Sequence, residues 1–304
     1  MNSQRPSTSA LISAFGRAYH STHAQDKIFD DFLADPLFTD AQRALFTDNL
    51  ARAFAFFDPE GAARVTNQAD ALAGFMRNQS LPITLSRARY VEEVLEAETK
   101  NGVTQYVILG AGLDTFAFRR TDLMAHLTVF EVDHPATQNY KRARLQELGW
   151  ETPPSLHWVP LDFTQSDLMP ALQAAHYDPN TRTLFSWLGV TYYLAREVIH
   201  ATLRGIALDA RAGSMVVFDY LDADAFIPER TAPRVARMQA ATLQSGEPMQ
   251  TGFDPAVLGT ELDALGWRLQ ENLSPEDIQE KYFRGRTDGY YAFEHIHFAR
   301  ASVK

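Results

Sequence analysis

Tyr106-Val107-Ile108-Leu109-Gly110-Ala111-Gly112-Leu113-Asp114-Thr115 is the stretch on which the fold turns. Four apolar residues run straight into a Gly-Ala-Gly turn. A continuous apolar run of this kind is a strand buried on both faces, and the glycines break it into a tight loop before a helix opens near Asp114 or Thr115. Glycine suits that loop because it takes positive φ and because its missing Cβ lets a ligand lie against the backbone. A second apolar run, Leu127-Thr128-Val129-Phe130-Glu131-Val132, ends on Asp133. That acid follows the glycines by about 20 residues, the offset at which an acid after the second strand meets a ribose hydroxyl in nucleotide-binding folds.

Outward from this stretch, strands and helices alternate. The pattern predicts strands at 105–110, 127–133, 156–162, 182–189 and 214–220, with helices at 115–124, 136–149, 167–175, 194–210 and 254–265. Pro135 stands at a helix start, where its missing N–H costs nothing. Ile199, Leu203 and Ile206 share one helical face, as do Leu258, Leu262 and Leu265. Apolar strands between amphipathic helices mean a parallel sheet covered on both faces. Two last strands, 267–272 and 295–301, flank a polar and aromatic segment, 273–294, with no clear helical crossover.

Before the first strand, 84–100 reads as a helix capped by Thr84 or Ser86. Residues 9–83 are helix-like and rich in phenylalanine, punctuated by turns at Asp35-Pro36 and Asp58-Pro59. They read as a helical layer packed on or over the rest of the chain. Two regions are therefore expected: 1–83 as a lid that caps substrate, and 84–304 as the cofactor-binding domain.

Composition narrows the function. Apolar residues make up 45% of the chain, enough for a sizeable core. The net charge of −10 is spread along the sequence, whereas nucleic acid and anionic membranes require clustered cations. The absence of cysteine excludes disulfides, thiolate nucleophiles and cysteine metal sites. No basic segment leads into a long apolar run at the N-terminus, and no run approaches membrane-spanning length, so a cytoplasmic protein is expected. No paired histidines with a nearby acid suggest a metal.

In an open parallel sheet, ligands bind beyond the carboxyl ends of the strands at the switch in strand order. That rule selects Gly110 and Gly112, Asp133, Asp162-Phe163, Leu188-Gly189 and Asp219-Tyr220. Two acids and an aromatic at successive strand ends suit a nucleoside: one carboxylate for ribose hydroxyls, one for an exocyclic amine, Phe163 for a ring face. A dinucleotide would prefer glycine where Thr115 stands, which favours S-adenosyl-L-methionine over NAD.

Leu109-Gly110-Ala111-Gly112-Leu113-Asp114-Thr115, Phe130-Glu131-Val132-Asp133-His134-Pro135 and Gly189-Val190-Thr191-Tyr192-Tyr193-Leu194 together resemble three motifs of one family. It is the leucine carboxyl methyltransferase-like family of class I S-adenosylmethionine-dependent methyltransferases, whose bacterial branch includes O-methyltransferases of secondary metabolism. The resemblance covers about residues 80–300; the N-terminal helices match the family's variable lid more loosely. It implies an α/β fold: a doubly wound, mostly parallel, Rossmann-like sheet of seven strands, the last antiparallel, under an N-terminal helical lid. It also implies roles. Arg87 would hold the methionyl carboxylate, with Arg89 as substitute. The backbone of Gly110, Ala111 and Gly112 would approach the methionine portion, Asp133 the ribose, Asp162 the adenine amine and Phe163 the ring. Family members that methylate a protein C-terminus carry Glu at the position of Leu188, on the cofactor side of the pocket. That departure leaves the substrate class open.

The implied reaction moves a methyl group to an oxygen of a small molecule and leaves S-adenosyl-L-homocysteine. A carboxylate acceptor is already ionised near neutral pH. A phenol or alcohol needs a nearby base, for which the histidines are His20, His134 and His295. The sequence assigns no catalytic residue. Tyr192, Tyr193, Tyr220, Tyr290 and Tyr291, with Tyr19 and His20 from the lid, are expected around the acceptor. Two other readings of the same sheet are an NAD-dependent oxidoreductase and a non-catalytic cofactor-binding member of the fold.

Overall fold

The computed structural model describes residues 6–304. Its strands are β1 (Val103–Leu109), β2 (Thr128–Asp133), β3 (Leu156–Pro160), β4 (Arg182–Trp187), β5 (Met215–Asp222), β6 (Gly252–Phe253), β7 (Trp267–Leu273) and β8 (Ile296–Val303). They form one sheet in the order β3-β2-β1-β4-β5-β8-β7, with the two-residue β6 also on β5. β1 to β6 pair in parallel, and β8 lies antiparallel between β5 and β7. The chain steps outward through β1, β2 and β3, then returns across β1 to β4. The loops after β1 and β4 therefore leave the sheet in opposite directions and open a crevice between them.

Among the described residues, the α-helices before the sheet are α1 (Thr8–His23), α2 (Asp40–Phe57), α3 (Pro59–Ala62), α4 (Gln68–Phe75) and α5 (Leu81–Lys100). The crossovers hold α6 (Phe116–Arg119), α7 (Thr121–Met124), α8 (Pro135–Glu147), α9 (Leu168–Ala174) and α10 (Arg196–Asp209). After β5 come α11 (Pro233–Gln244), α12 (Leu258–Ala264) and α13 (Pro275–Ile278). Among the described residues, no helix is long and apolar enough to cross a membrane.

Alternation along the strands gives each face its own core. Val107 and Leu109 join Ile199, Leu203, Ile206, Leu258 and Leu262 on one side. Tyr106 and Ile108 face the other, with the aromatics of α1, α2 and α4. Phe15 stacks on Phe46 at 5.4 Å and meets Phe38 edge-on at 5.6 Å. The N-terminal helices thus share one continuous core with a sheet face.

Boundaries moved where tertiary contacts overrode local signals. α5 starts at Leu81, continuing from α4 through a π-turn at Met76–Ser80, so neither Thr84 nor Ser86 is a cap. The Ser86 hydroxyl donates instead to the Pro82 carbonyl at 2.5 Å, within the helix. The 83/84 boundary consequently falls inside α5. The helix expected over 115–124 breaks at Arg120 (φ −101°, ψ 58°) into α6 and α7. The one expected over 254–265 begins at Leu258. α11 and β6 lie in 221–253, for which the pattern predicted no element, and 273–294 contains α13 and a second π-turn, Gln279–Phe283.

Candidate functional site

A cavity of about 600 Å³ opens at the switch point. Its floor is the turn after β1 and the ends of β2, β3 and β4; its roof is α1, α5, α11 and the loop 246–250. Gly110 and Gly112 both take positive φ, 74° and 55°. Each is also pressed from one side: a Cβ on Gly110 would land on a Val190 methyl, and one on Gly112 would come within 3.2 Å of Ala10. The Asp133 carboxylate accepts from the N–H of Gly112 in the turn and, at 2.6 Å, from that of His134 after β2. Burial pushes the Asp133 carboxyl up from its ordinary value, with those two amides pulling the other way.

Asp162 follows β3. Burial alone would raise its carboxyl, but the Thr164 hydroxyl (2.7 Å) and amide (2.9 Å) donate to one oxygen and hold it below the usual range. Phe163 packs on Trp187 at 5.7 Å. Both residues line the cavity, as do Leu188, Ala111 and Arg87.

Arg87 reaches in from α5. Its Nη1 donates to Asp219 and to the Tyr192 hydroxyl, each at 3.1 Å. Asp219 is fully buried and also accepts from the Gly189 amide at 2.6 Å. A Cβ on Gly189 would lie 2.5 Å from the guanidinium, so that glycine makes room for the arginine. Burial works against the Arg87 charge, but Tyr192 and Asp219 outweigh it and raise its pKa. The other arginine considered, Arg89, pairs with Glu93 on the exposed side of α5 and does not reach the cavity.

The expected acceptor residues divide. Tyr192 and Tyr193 line the cavity. Tyr220 is buried in the sheet core, with its hydroxyl on Asn272 at 3.0 Å. His20, on α1, is buried, and the Ile28 amide donates to its Nε2 at 3.0 Å. Tyr290 packs on His20 at 5.8 Å, Tyr19 stacks on His23 at 4.2 Å, and Tyr291 lies outside under Arg234. None of these five lines the cavity. Of the histidines considered as bases, only His134 does; its Nδ1 accepts from Ala136 and caps α8. His295 is held by Asp222 at 2.8 Å, elsewhere in the fold.

Several lining residues carried no sequence signal of their own. The first turns of α1, Gln79 of the π-turn, and Met238, Ala241 and Glu247 in and after α11 all face the cavity. α1 is fastened to the glycine turn by Asp31, which accepts from Arg17 at 2.8 Å and from the Thr115 hydroxyl. Thr115, at the third fingerprint position, thus uses its side chain to grip the N-terminal layer. Among the described residues, no three metal-ligating side chains converge.

The family model for leucine carboxyl methyltransferase matches residues 10–207. The chain belongs to this family, the leucine carboxyl methyltransferase-like branch of class I S-adenosylmethionine-dependent methyltransferases. The YktD protein of Bacillus subtilis, named for S-adenosyl-L-methionine-dependent methyl transfer, is 40% identical over the full length of both chains. A Mycobacteroides abscessus protein named for the same activity is 28% identical, over 89% of this chain and 81% of its own. A DUF574 family protein from Streptomyces avermitilis has the same fold, at TM-score 0.55 and 15% identity, over 84% of this chain and 97% of its own. The three leucine carboxyl methyltransferase-like motifs fall on the turn after β1, the end of β2 and the segment after β4, which all border the cavity.

Proposed function

We propose that the protein transfers the methyl group of S-adenosyl-L-methionine to an oxygen of a small-molecule acceptor, in the cytoplasm, and releases S-adenosyl-L-homocysteine. What carries this reading is the convergence of Arg87, the glycine turn, Asp133 and Asp162 on one cavity in a chain of this family. The residues fit the cofactor: a cation with a buried counter-ion at one end, two carboxylates along the floor, an aromatic face, and a backbone turn stripped of Cβ atoms. When bound, the sulfonium supplies an electrophilic methyl group for in-line attack.

The chain's residues supply position and dryness. Arg87, fixed by Asp219 and Tyr192, takes the methionyl carboxylate. Asp133 takes the ribose hydroxyls, and the second oxygen of Asp162 takes the adenine amine. The N-terminal helices α1 to α4 cap the acceptor, and the apolar side chains of Phe57, Phe75 and Met238 keep water from it. Holding two reactants aligned in such a site accounts for much of a displacement's rate.

Calorimetric titration with S-adenosyl-L-methionine tests the reading, with NAD as control. Micromolar binding, about −8 kcal/mol, is expected for the wild type. Asp133→Ala removes charge-assisted hydrogen bonds and should weaken binding about 10- to 100-fold. No heat with S-adenosyl-L-methionine would sink the reading.

A further inference from the structure

The cavity's charges restrict the acceptor, given that the site holds S-adenosyl-L-methionine. Three arginines line it, and each is engaged. Arg17 binds Asp31 at 2.8 Å and the Leu113 carbonyl at 2.8 Å. Arg119 binds Glu92 and stands 3.7 Å from Asp31. Arg87 is held by Asp219 and faces the methionyl carboxylate. No lysine joins them among the described lining residues, whereas Asp31, Glu92, Asp114, Asp133, Asp162 and Glu247 all line the cavity. An ionised acceptor would add an anion where no protein cation is uncommitted, leaving the cofactor's sulfonium alone to offset it among six lining carboxylates, and burying a charge with few partners is unfavourable.

Five of the six carboxylates have positions set by the fold. Asp31 and Glu92 are gripped by arginines, Asp133 by two amides, Asp162 by Thr164, and Asp114 by the Phe116 amide at 2.6 Å. Glu247 differs. It sits on the loop after α11, and only Oε2 is engaged among the described residues, by the Ser9 hydroxyl at 2.5 Å and the Ser9 amide at 3.4 Å. The charged and titratable groups facing it come from the segment after β4 and from behind that segment. The Tyr193 hydroxyl lies 3.4 Å from Ser9 Oγ, and the Tyr193 ring meets Tyr192 edge-on at 4.9 Å. Behind them are Arg87 of α5 and Asp219 of β5. Ser9, Tyr193 and Tyr192 thus connect Glu247 to Arg87, the residue assigned to the methionyl carboxylate, on one side of the cavity. Burial pushes Tyr193 up to about 12, so its hydroxyl keeps its proton and does not serve as the base.

We propose that the acceptor is an uncharged hydroxyl compound with an apolar body, and that Glu247 is the catalytic residue that receives its proton. The acceptor's O–H proton passes to the Glu247 carboxylate as an oxygen lone pair forms the new O–CH3 bond. The electron pair of the broken S–CH3 bond stays on sulfur, which becomes a neutral thioether. Glu247 then returns the proton to solvent, so alcohol and sulfonium give ether, thioether and one proton.

The probes are 2-naphthol and 2-naphthoate, one skeleton with two oxygen groups. With protein saturated in S-adenosyl-L-homocysteine, calorimetry should show naphthol binding about tenfold tighter than naphthoate, a difference of one desolvated charge. Glu247→Gln should bind S-adenosyl-L-methionine like the wild type. It should slow methyl transfer to naphthol about 100-fold near neutral pH, the scale of lost general-base catalysis, and Glu247→Asp should restore part of it. The wild-type advantage should shrink as pH passes the naphthol's own ionisation near about 10, because a phenolate needs no base. Preference for naphthoate, or turnover of neither probe, overturns the acceptor class. A wild-type advantage that does not change with pH, or loss of S-adenosyl-L-methionine binding in Glu247→Gln, overturns the role of Glu247. Failure of the wild type to bind S-adenosyl-L-methionine would instead refute the cofactor site itself.

Discussion

At the scale of single residues, the site rests on a partner that the strand-end rule touched but did not use. That rule selects Asp219-Tyr220 together, and the acceptor reading took only the tyrosine. Period-two alternation separates them: Val217, Asp219 and Leu221 face α5, while Val216, Phe218 and Tyr220 face the opposite core. The acid therefore holds Arg87 and the tyrosine packs out of reach. Arg87→Met would leave Asp219 buried with no counter-ion, which costs about 3–5 kcal/mol when a buried pair is broken from one side. Urea unfolding should show that loss, and calorimetry should show cofactor binding abolished. Arg87→Lys restores charge but not the planar fork, so it should recover stability more than affinity. Wild-type stability in Arg87→Met would mean that the ion pair carries no structural weight.

At the scale of elements, the turn after β1 takes the positive φ that its glycines suggested, and it is crowded for a reason visible only in three dimensions. Gly110 must accept φ 74° and also give way to Val190 from the segment after β4. Gly110→Ala meets both obstacles, and Gly110→Ala/Val190→Ala meets only the first. The single variant should lose thermal stability and about tenfold or more in cofactor affinity, and the double variant should regain part of each. Equal losses in both would remove Val190 from the explanation. β1 and β2 were legible because burial on both faces leaves a continuous apolar run, and α10 because Ile199, Leu203 and Ile206 repeat on one helical face. α11 was not. It buries only Arg234 and Val235, and Arg234 is held by Glu294 and the Ala292 carbonyl. Its apolar side, Val235, Met238 and Ala241, is short and partly turned to the cavity, so it leaves little pattern to read. The same reason hid Glu247 and the first turn of α1, whose roles depend on contacts across hundreds of residues of sequence.

At the scale of the whole molecule, buried ionisable groups give stability a pH dependence. His20 is fully buried and depressed to about 4 by burial first, with Arg286 acting in the same direction. A depressed histidine means that the unfolded chain takes up the proton first. Its contribution is therefore complete above about pH 6.5 and is lost as pH falls toward about 4. Glu131, pushed up to about 7 by burial against the pull of Lys141, acts with the opposite sign, favouring the fold at lower pH. His20→Gln can still accept from the Ile28 amide and should flatten the decline in melting temperature across that window without removing the Glu131 contribution. Parallel melting curves for the two proteins would refute this. The position of β8 has a consequence for biosynthesis. β7 pairs with the sheet only through β8, which follows it in the chain. While the polypeptide is being made, β5 keeps an open hydrogen-bonding edge and β7 has no neighbour until residues 296–303 emerge. A nascent sheet that folded before then would be left unsealed at β5, the condition in which an open strand edge invites wrong pairing.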